Sequence, residues 1–472
     1  MTGPHAKRLR IVGTKLEEVG EPDRLYFNDG KGGFEAAGWD SDTFLDEDGK
    51  PFDEPWDFGL AVQMRDINHD GWVDIYVCND FQTPDRIWIN QGKGKFKALP
   101  QLAMRKQSYA SMGVDFSDLD RDGWLDFLVV EMLAKDHAHQ MTQVTGLRPE
   151  IPFPGRVDYR PETARNTLFK NRGDGTYAEI ANYAGLSATD WSWQPVFLDV
   201  DLDGLEDLLV VNGMPFDIQD RDTLERIRAA GRQPVEEARA NVLQYPERQT
   251  RNVAFRNQGA LQFKDISTQW HFDHLGITHG IALADLDNDG DQDVITNNLN
   301  EPPYLLRNDT TSPRIAVRLQ GQALNVQGIG ASVALMTDGL PIQTQHMVSG
   351  GRYLSGDDPM RTFACGTGVE GATLRVIWPS GMVSTMKNLH ANHIYLIKER
   401  EDQSLKPKSQ LNADLPGLFE DVSSHLGHIH HEELFNDIAR QALLPRLESQ
   451  QGPGVAWMDL DADGFDELII GS

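Results

Sequence analysis

Short apolar runs recur along the chain, each following a loop that is rich in Asp and Gly. The runs span residues 75–77, 127–130, 208–211, 294–295 and 468–470. Most of them are rich in β-branched or aromatic residues and all are too short for helices, which predicts strands. Similar segments, among them 112–116 and 280–283, precede the loops. The pattern therefore predicts that each acidic loop joins two antiparallel strands.

The acidic loop recurs five times with a single internal spacing. An acid or Asn stands at its first, third, fifth and ninth positions, and Gly always stands at the sixth. The copies begin at Asp66, Asp118, Asp199, Asp285 and Asp459. Because internal similarity of this kind marks a repeat architecture, the chain is predicted to be an array of similar units.

A second signature, Asn-x-Gly-x-Gly between aromatic or apolar positions, alternates with the acidic loop. It occurs at 28–32, 90–94 and 171–175, and in a weaker form at 257–259. The pattern is typical of a tight hairpin turn that needs positive φ. With both signatures, each repeat supplies about four strands, which is the content of a β-propeller blade. The predicted fold class is therefore all-β, a β-propeller with a small additional β domain.

The repeat spacing also predicts how the chain is divided. Residues 1–311 are predicted to form propeller blades with a helical insertion at about 215–248, where Pro234 breaks or kinks a helix spanning 222–243. Alternating Val, Ile and Leu predict a small β domain at 312–399. Residues 400–416 are predicted to be a polar linker, and residues 417–472 a further, truncated propeller repeat.

Composition narrows the possible partners. The 472 residues include 72 Asp and Glu against 44 Lys and Arg, for a formal net charge of −28. This charge argues against a nucleic-acid partner and fits a protein that binds cations. There is no apolar run of about 18 residues for a membrane span, and the first 13 residues lack the apolar core of a signal peptide. The two cysteines, Cys78 and Cys365, can form at most one disulfide.

The acidic loops carry the chemistry that the sequence predicts most strongly. Oxygen ligands at alternating positions of a tight loop suit Ca²⁺, whereas Mg²⁺ demands near-octahedral geometry and keeps its waters. The predicted side-chain ligands are Asp66, Asn68, Asp70 and Asp74; Asp118, Asp120, Asp122 and Asp126; Asp199, Asp201, Asp203 and Asp207; Asp285, Asp287, Asp289 and Asp293; and Asp459, Asp461, Asp463 and Glu467. The predicted carbonyl donors, at the seventh position, are Trp72, Trp124, Leu205, Asp291 and Phe465.

Acidic loops of this kind have two other possible interpretations. An EF-hand needs a Glu at the twelfth position between helices, but that position holds Val77, Val129, Val210, Thr296 and Ile470. The loops can also be turns stabilised by Asp and Asn without any metal. Five copies argue against metal-free turns, because several carboxylates in one turn repel one another unless a cation is bound.

Other candidate sites favour structural interpretations. Four histidines at 425–431 lie beside Glu432 and Glu433, where a polar connecting segment is favoured over a transition-metal site. Ser380, in Trp-Pro-Ser-Gly, and the Ser384–Lys387 pair lack recognisable catalytic partners. Trp191 and Trp193 are assigned to the core, and Cys78 is expected to be an inert buried thiol. No catalytic residue is predicted.

In these motifs, the chain resembles the FG-GAP/VCBS-repeat β-propeller proteins with an ASPIC/UnbV domain, in particular bacterial relatives of cartilage acidic protein. The acidic loops and Asn-x-Gly-x-Gly turns carry the first part of the resemblance. Gly328–Ala331, Gly350–Ser355 and Trp378–Gly381 carry the second part. The family usually has Phe-Gly-Leu-Gly where this chain has Phe-Ala-Cys-Gly at 363–366, which puts the local turn in doubt.

The resemblance implies an extracellular or cell-surface protein that binds calcium and acts in adhesion or recognition, with a glycan or protein ligand and no reaction of its own. A carbohydrate-processing or natural-product-maturation enzyme or accessory, and a structural surface component, are the alternatives. The chain starts within a repeat and stops after the strand that follows the fifth loop. Either the two half-blades complete each other, or the chain is a fragment of a longer protein, which is the favoured interpretation.

Overall fold

The computed structural model describes residues 9–12, 15–18, 20, 22–39, 41–80, 83–143, 160–231, 233–322, 324–348, 350–366, 371–399, 455–458 and 467–470. The chain divides into two compact units. The first comprises Met1–Gly146 and Arg160–Lys408, and the second Leu147–Tyr159 and Ser409–Ser472. The sequence interpretations for 400–416 and for the histidines at 425–431 therefore fall outside the described residues.

The first unit begins with two hairpins and a five-stranded sheet. The hairpin strands are β1 (Leu9–Val12) with β2 (Lys15–Glu18), and β3 (Tyr26–Asn28) with β4 (Phe34–Ala36). The first sheet has the order β5-β9-β8-β7-β6. Its strands are β5 (Phe44–Leu45), β6 (Gly59–Arg65), β7 (Asp74–Asn79), β8 (Arg86–Asn90) and β9 (Phe96–Ala98). All neighbours are antiparallel except the short β5, which runs parallel to β9.

The second sheet is four-stranded and antiparallel, in the order β11-β12-β14-β15. A short parallel pair, β10 with β13, lies outside this sheet, and two short helices accompany it. The elements are β10 (Gln107–Ser108), β11 (Gly113–Ser117), β12 (Asp126–Val130), α1 (His137–Thr142), β13 (Glu162–Thr163), β14 (Thr167–Asn171), β15 (Tyr177–Glu179) and α2 (Ala181–Ala184).

The third sheet is also four-stranded and antiparallel, and the fourth has three antiparallel strands. The third has the order β16-β17-β19-β20 and the fourth the order β22-β23-β24, while β18 pairs with β21. The elements are β16 (Ser192–Leu198), β17 (Asp207–Asn212), α3 (Arg221–Ala229), α4 (Val235–Ala240), β18 (Thr250–Arg251), β19 (Val253–Asn257), β20 (Phe263–Asp265), β21 (Leu275–Gly276), β22 (Thr278–Ala284), β23 (Asp293–Asn298) and β24 (Tyr304–Leu306). Pro234 lies between α3 and α4, at the N-cap position of α4, where it makes no side-chain capping bond.

The four sheets pack face to face in chain order. Alternate residues of β17 face opposite neighbours: Leu208 and Val210 pack against the second sheet, and Leu209 and Val211 against the fourth. A strand buried on both faces reads as a continuous apolar run, which explains the runs in the sequence. The innermost strands, β6, β11, β16 and β22, each contact the next. Among the described residues no sheet closes on itself.

The second domain of this unit is a pair of packed sheets. One has the order β28-β25-β31 and the other β27-β26-β29-β30. The strands are β25 (Arg314–Gln320), β26 (Ser332–Met336), β27 (Gln343–His346), β28 (Met360–Ala364), β29 (Thr373–Ile377), β30 (Val383–Lys387) and β31 (His393–Lys398). Their shared core includes Phe363, Leu374 and Trp378. In the second unit, β32 (Val455–Met458) pairs antiparallel with β33 (Glu467–Ile470).

Candidate metal-binding loops and a central contact

Four described acidic loops have the same backbone shape and each joins two antiparallel strands: β6 to β7, β11 to β12, β16 to β17 and β22 to β23. Each has positive φ at its sixth-position glycine: Gly71 (82°), Gly123 (90°), Gly204 (95°) and Gly290 (93°). Each also has positive φ at its fourth position: His69 (60°), Arg121 (62°), Leu202 (55°) and Asn288 (61°). Left-handed backbone at non-glycine residues is strained and tends to be kept at functional sites.

Carboxylates at the first, third and fifth positions converge in these loops. In the second, third and fourth loops, one oxygen from each of the three carboxylates lies within 4.8 Å of the others. In the second loop, Asp118 Oδ2 accepts a hydrogen bond from Gly123 N at 3.1 Å, and Asp122 Oδ1 accepts one from Trp124 N at 2.9 Å. The same two bonds recur in the other three described loops.

Several carboxylate oxygens in these loops have no hydrogen-bond donor. Asp118 Oδ1 and Asp120 Oδ1 in the second loop, and Asp201 Oδ1 in the third, are buried and accept no hydrogen bond within the described part of the chain. A buried carboxylate oxygen without a partner is costly. Ca²⁺ takes six to eight oxygen ligands, so these unpaired oxygens and the set of carboxylate ligands both fit a calcium ion.

The ninth-position aspartates of the first three loops link each loop to the following glycine turn, and Asp293 makes the same bond to Asn308, which begins no glycine turn. Asp126 Oδ1 accepts a hydrogen bond from Asn171 N at 2.8 Å, and Asp126 Oδ2 accepts one from Leu119 N at 3.3 Å. The equivalent pairs of backbone bonds are made by Asp74, Asp207 and Asp293. In the first three loops, the ninth carboxylate therefore joins the two sequence signatures, and it keeps further lone pairs for a metal.

Burial raises the pKa of the loop carboxyl groups. Desolvation raises the pKa of Asp118 to about 7, that of Asp126 to about 8 and that of Asp207 to about 9. Neighbouring carboxylates in the same loop add to the effect, since like charges disfavour ionisation. A divalent cation at the centre of each loop would remove this repulsion and keep the carboxylates ionised.

Basic side chains face three of the loops. Lys170 Nζ lies against Asp120 and is 2.8 Å from Asp122 Oδ2. Arg256 donates to Asp201 Oδ2 at 2.6 Å and to Asp203 Oδ2 at 2.8 Å. Arg314 lies 2.7 Å from Asp289 Oδ2 in the fourth loop.

The first loop has no basic residue at the position of Lys170 and Arg256, where it has Ile89, and it has Asn68 in place of a third-position Asp. If only the side chains at the four ligand positions and the facing basic side chain are counted, the first, second and third loops each have a formal charge of −3. Arg121 and Glu206, at other positions of the second and third loops, pair with each other at 2.7 Å.

Of the fifth predicted loop, Asp459, Asp461, Asp463 and Phe465 lie outside the described residues, and Glu467 is the first residue of β33. The carbonyl roles of Trp72, Trp124, Leu205 and Asp291 stay a prediction. In each case the backbone N–H of the same residue donates to the fifth-position carboxylate.

A segment of the second domain, residues 350–358, contacts the innermost strands of all four sheets, and we call it the central loop. Gln63 on β6 donates to Gly351 O at 2.6 Å. Tyr353 N donates to Gln194 Oε1 on β16 at 2.6 Å, and Ser355 Oγ donates to Ile281 O on β22 at 2.7 Å.

Arg352 provides the contact with the remaining sheet. Its guanidinium donates to Asp115 Oδ2 on β11 at 2.9 Å and to Asp357 within the central loop at 2.7 Å. Asp357 Oδ1 in turn accepts a hydrogen bond from Leu283 N on β22 at 3.0 Å. Arg352 lowers the pKa of Asp357, so this carboxyl group stays ionised at its buried position.

An aromatic contact continues the same interface. The Tyr353 ring stacks on the Trp193 ring, with 4.9 Å between their centroids. The centroid of the His279 ring lies 4.4 Å from that of Trp193. Trp193 Nε1 donates to Gly213 O at 2.7 Å. Trp191 and Trp193 are half-buried against the core between the second and third sheets, which agrees with their assignment to the core.

The remaining sequence candidates occupy structural positions. Gly381 N donates to Trp378 O at 2.8 Å, so Trp-Pro-Ser-Gly forms a tight turn, and Ser384 Oγ accepts a hydrogen bond from Trp378 Nε1 at 2.9 Å. Cys78 and Cys365 are both buried free thiols, and burial raises the pKa of Cys365 to about 12.

Sequence reasoning missed the partners of the central loop. Gln63, Asp115 and Gln194 are buried polar residues inside predicted apolar strands. A buried polar side chain needs a partner, so their position within apolar segments is the signal that could have singled them out.

Comparison with known protein families identifies two kinds of module in the chain. The sequence profile of the FG-GAP-like repeat matches residues 66–129 and 159–210. The ASPIC and UnbV profile matches residues 321–404. The chain therefore carries FG-GAP-like repeats together with an ASPIC and UnbV domain, as its motifs predict.

No curated protein matches the chain significantly. Among solved structures, one match is a lectin from Agrocybe aegerita that recognises non-reducing terminal N-acetylglucosamine. It is 13% identical, and the match covers 76% of this chain and 84% of that one with a TM-score of 0.29. A likeness this low supports no argument about fold or ligand.

Within the described residues, no helix combines the length and apolar character needed to cross a bilayer.

Proposed function

We propose that this protein is a calcium-stabilised β-propeller that acts as an extracellular or cell-surface recognition module and catalyses no reaction. The observation that carries the calcium assignment is the pair of buried, donor-free oxygens on Asp118 and Asp120, within a strained loop shape that four described repeats share. Without a metal, that arrangement costs free energy through both desolvation and repulsion.

The propeller assignment is supported by the way the sheets pack. The sheets are built in chain order, bury apolar cores between their faces and bring their innermost strands together. In a propeller, antiparallel sheets of about four strands are arranged radially, and the innermost strand of each sheet lies next to those of its neighbours. Calcium ions in the loops would fix the connection between the first and second strands of each blade.

Recognition is assigned to a polar groove of about 610 Å³ beside two insertions between repeat strands, namely the segment that carries α1 and the helical insertion at about 215–248. Its lining includes Lys135, Asp136 and His139 from one insertion and Arg248 near the end of the other. Binding sites collect on loops held by a rigid scaffold, and a groove lined by charged and hydrogen-bonding side chains suits a glycan or a polar peptide segment.

The central carboxylates support a non-catalytic role. Asp115 and Asp357 both pair with Arg352, and this arginine lowers the pKa of Asp357, so Asp357 does not carry the proton that a general acid requires.

Calcium titration calorimetry and thermal melting with and without EGTA test this proposal. We expect saturable binding and a melting temperature that falls by several degrees in EGTA, since a ligand specific for the folded state stabilises it. Asp118→Asn with Asp120→Asn should remove about one calcium equivalent. Asp174→Asn, an exposed carboxylate in a glycine turn, is the matched control. A melting temperature indifferent to EGTA would overturn the calcium assignment.

A glycan array and a matrix-protein binding screen test recognition. Any ligand found should bind less tightly to His139→Ala than to His137→Ala, because both histidines lie on α1 but only His139 lines the groove. Equal loss from both variants would argue against this groove.

A further inference from the structure

A charged cavity lies between the repeat sheets and the second domain. It measures about 80 Å³ and is lined by Arg65 and Asp115 from the sheets and by His346, Arg352, Asp357 and Arg361 from the second domain. It shares no lining residue with the polar groove beside the insertions, and it borders three of the acidic loops, through Leu125, Asp199, Glu206 and Gln292.

One of its three arginines is fully satisfied by carboxylates. Arg352 takes both oxygens of Asp357 and one oxygen of Asp115, at 2.7–3.1 Å. The other Asp115 oxygen accepts a hydrogen bond from Phe116 N at 3.0 Å. Asp115 and Asp357 therefore have few free acceptor positions for a second guanidinium.

The other two arginines lack a close carboxylate partner. Arg65 reaches Asp115 Oδ1 only at 3.4 Å and otherwise donates to its neighbour Met64 O. Arg361 donates to His346 O at 2.9 Å and to Met360 O at 2.8 Å, and no described carboxylate oxygen lies within 4 Å of its guanidinium. Burial and the nearby Arg352 lower the pKa of Arg361, because both disfavour its charged form.

The remaining ionisable groups on the cavity wall do not supply the missing negative charge. Asp199 is a loop ligand whose oxygens accept hydrogen bonds from Asp203 N and Gly204 N. Glu206 pairs with Arg121 at 2.7 Å. Burial and the nearby arginines lower the pKa of His346 to about 3, so its imidazole is neutral.

We propose that this cavity binds a small oxyanion, a carboxylate or a phosphate group, between Arg65 and Arg361. Both guanidiniums retain N–H donors that have no acceptor among the described residues, and a planar fork of donors matches carboxylate and phosphate oxygens. The volume exceeds that of a single water and suits a group of about four heavy atoms. The neutral His346 imidazole can add a further hydrogen bond to the anion.

The test is titration of the intact calcium-loaded protein with sodium acetate and with sodium phosphate, each against sodium chloride at matched ionic strength. We expect a saturable calorimetric signal and a rise in melting temperature with at least one of the two oxyanions. The stronger of the two arms identifies the ligand as a carboxylate or a phosphate.

Arg361→Met should weaken the binding at least tenfold, and Arg361→Lys should restore part of it. Arg318→Met is the control, since Arg318 pairs with Asp358 instead of lining the cavity. Circular dichroism checks that each variant folds. Absence of saturable binding, or equal binding by Arg361→Met, would overturn the anion site, whereas the calcium titration is measured separately and tests the proposed function alone.

Discussion

Arg352 in the second domain donates to Asp115 Oδ2 at 2.9 Å, although 237 residues separate the two along the chain. This bond and the neighbouring pair with Asp357 tie the second domain to the inner strands of the repeats. Both side chains of the Arg352–Asp115 pair are less than a tenth exposed. The contact is therefore a buried, hydrogen-bonded charge cluster rather than a surface ion pair.

Removing Arg352 should be strongly destabilising. Arg352→Met leaves Asp115 and Asp357 buried without their main counter-ion, and we expect a loss of about 3–5 kcal/mol in the free energy of unfolding. Chemical denaturation followed by tryptophan fluorescence measures it. Arg318→Met breaks a more exposed pair with Asp358 and should cost less than about 1 kcal/mol. Similar losses in both variants would contradict a special role for Arg352.

Neutralising Lys170 should strengthen calcium binding by the second loop. The Lys170 ammonium lies beside Asp120 and Asp122, where it repels an incoming divalent cation. We expect Lys170→Gln to lower the dissociation constant of this loop several-fold at low ionic strength, with a smaller effect at high salt. Lys264→Gln, an exposed position outside the loops, is the control, and calorimetry is the measurement. Weaker binding by Lys170→Gln would instead mean that Lys170 orders the carboxylates.

Glu131 should make stability depend on pH. Burial, reinforced by Asp80, raises its pKa from the ordinary 4.5 to about 8. Since the folded state holds this proton more tightly, its contribution is complete below pH 4.5 and is lost as pH rises through about 8. We expect the free energy of unfolding to fall by up to about 1.4 kcal/mol per pH unit in that range. In Glu131→Gln, this contribution to the pH dependence of the free energy of unfolding should be absent. An unchanged pH dependence would mean that other groups cause it.

The asparagine of each glycine turn should matter where it is buried. Asn171 Oδ1 accepts from Gly173 N at 3.0 Å, and its amide donates to Leu125 O at 3.3 Å. Asn171→Ala should cost about 1–3 kcal/mol, because Leu125 O is left without this donor in a buried position. Asn28 makes the same turn bond in an exposed hairpin, so Asn28→Ala should cost much less. Thermal melting compares the two.

The sequence predicts the local structure well. The fixed spacing of the acidic loops and glycine turns identifies the strand pairs, and Pro234 marks the break between α3 and α4. Such features depend on neighbouring residues, so a pattern within one segment contains the information. The fourth loop position is an exception: His69, Arg121, Leu202 and Asn288 share a backbone conformation but no side-chain property that would reveal it.

The contacts between distant segments are not predictable in this way. The local sequence around Asp115 does not indicate that Arg352 is its partner. That the Arg361 guanidinium has no close carboxylate partner follows only from the packing of the second domain on the sheets. The basic residues that face the loops, such as Lys170, could not be identified from the sequence either. The hairpin that positions them lies tens of residues along the chain from the acidic residues that they face.

The central loop also constrains how the protein is made. The four sheets are synthesised before residues 350–358. Gln63, Asp115 and Gln194 therefore lack their hydrogen-bond partners in the central loop until that segment has been made. A nascent chain arrested before residue 350 should be loosely assembled and prone to capture by chaperones. Synthesis of the second domain through β31 (His393–Lys398) would then be the step that completes folding of the first unit.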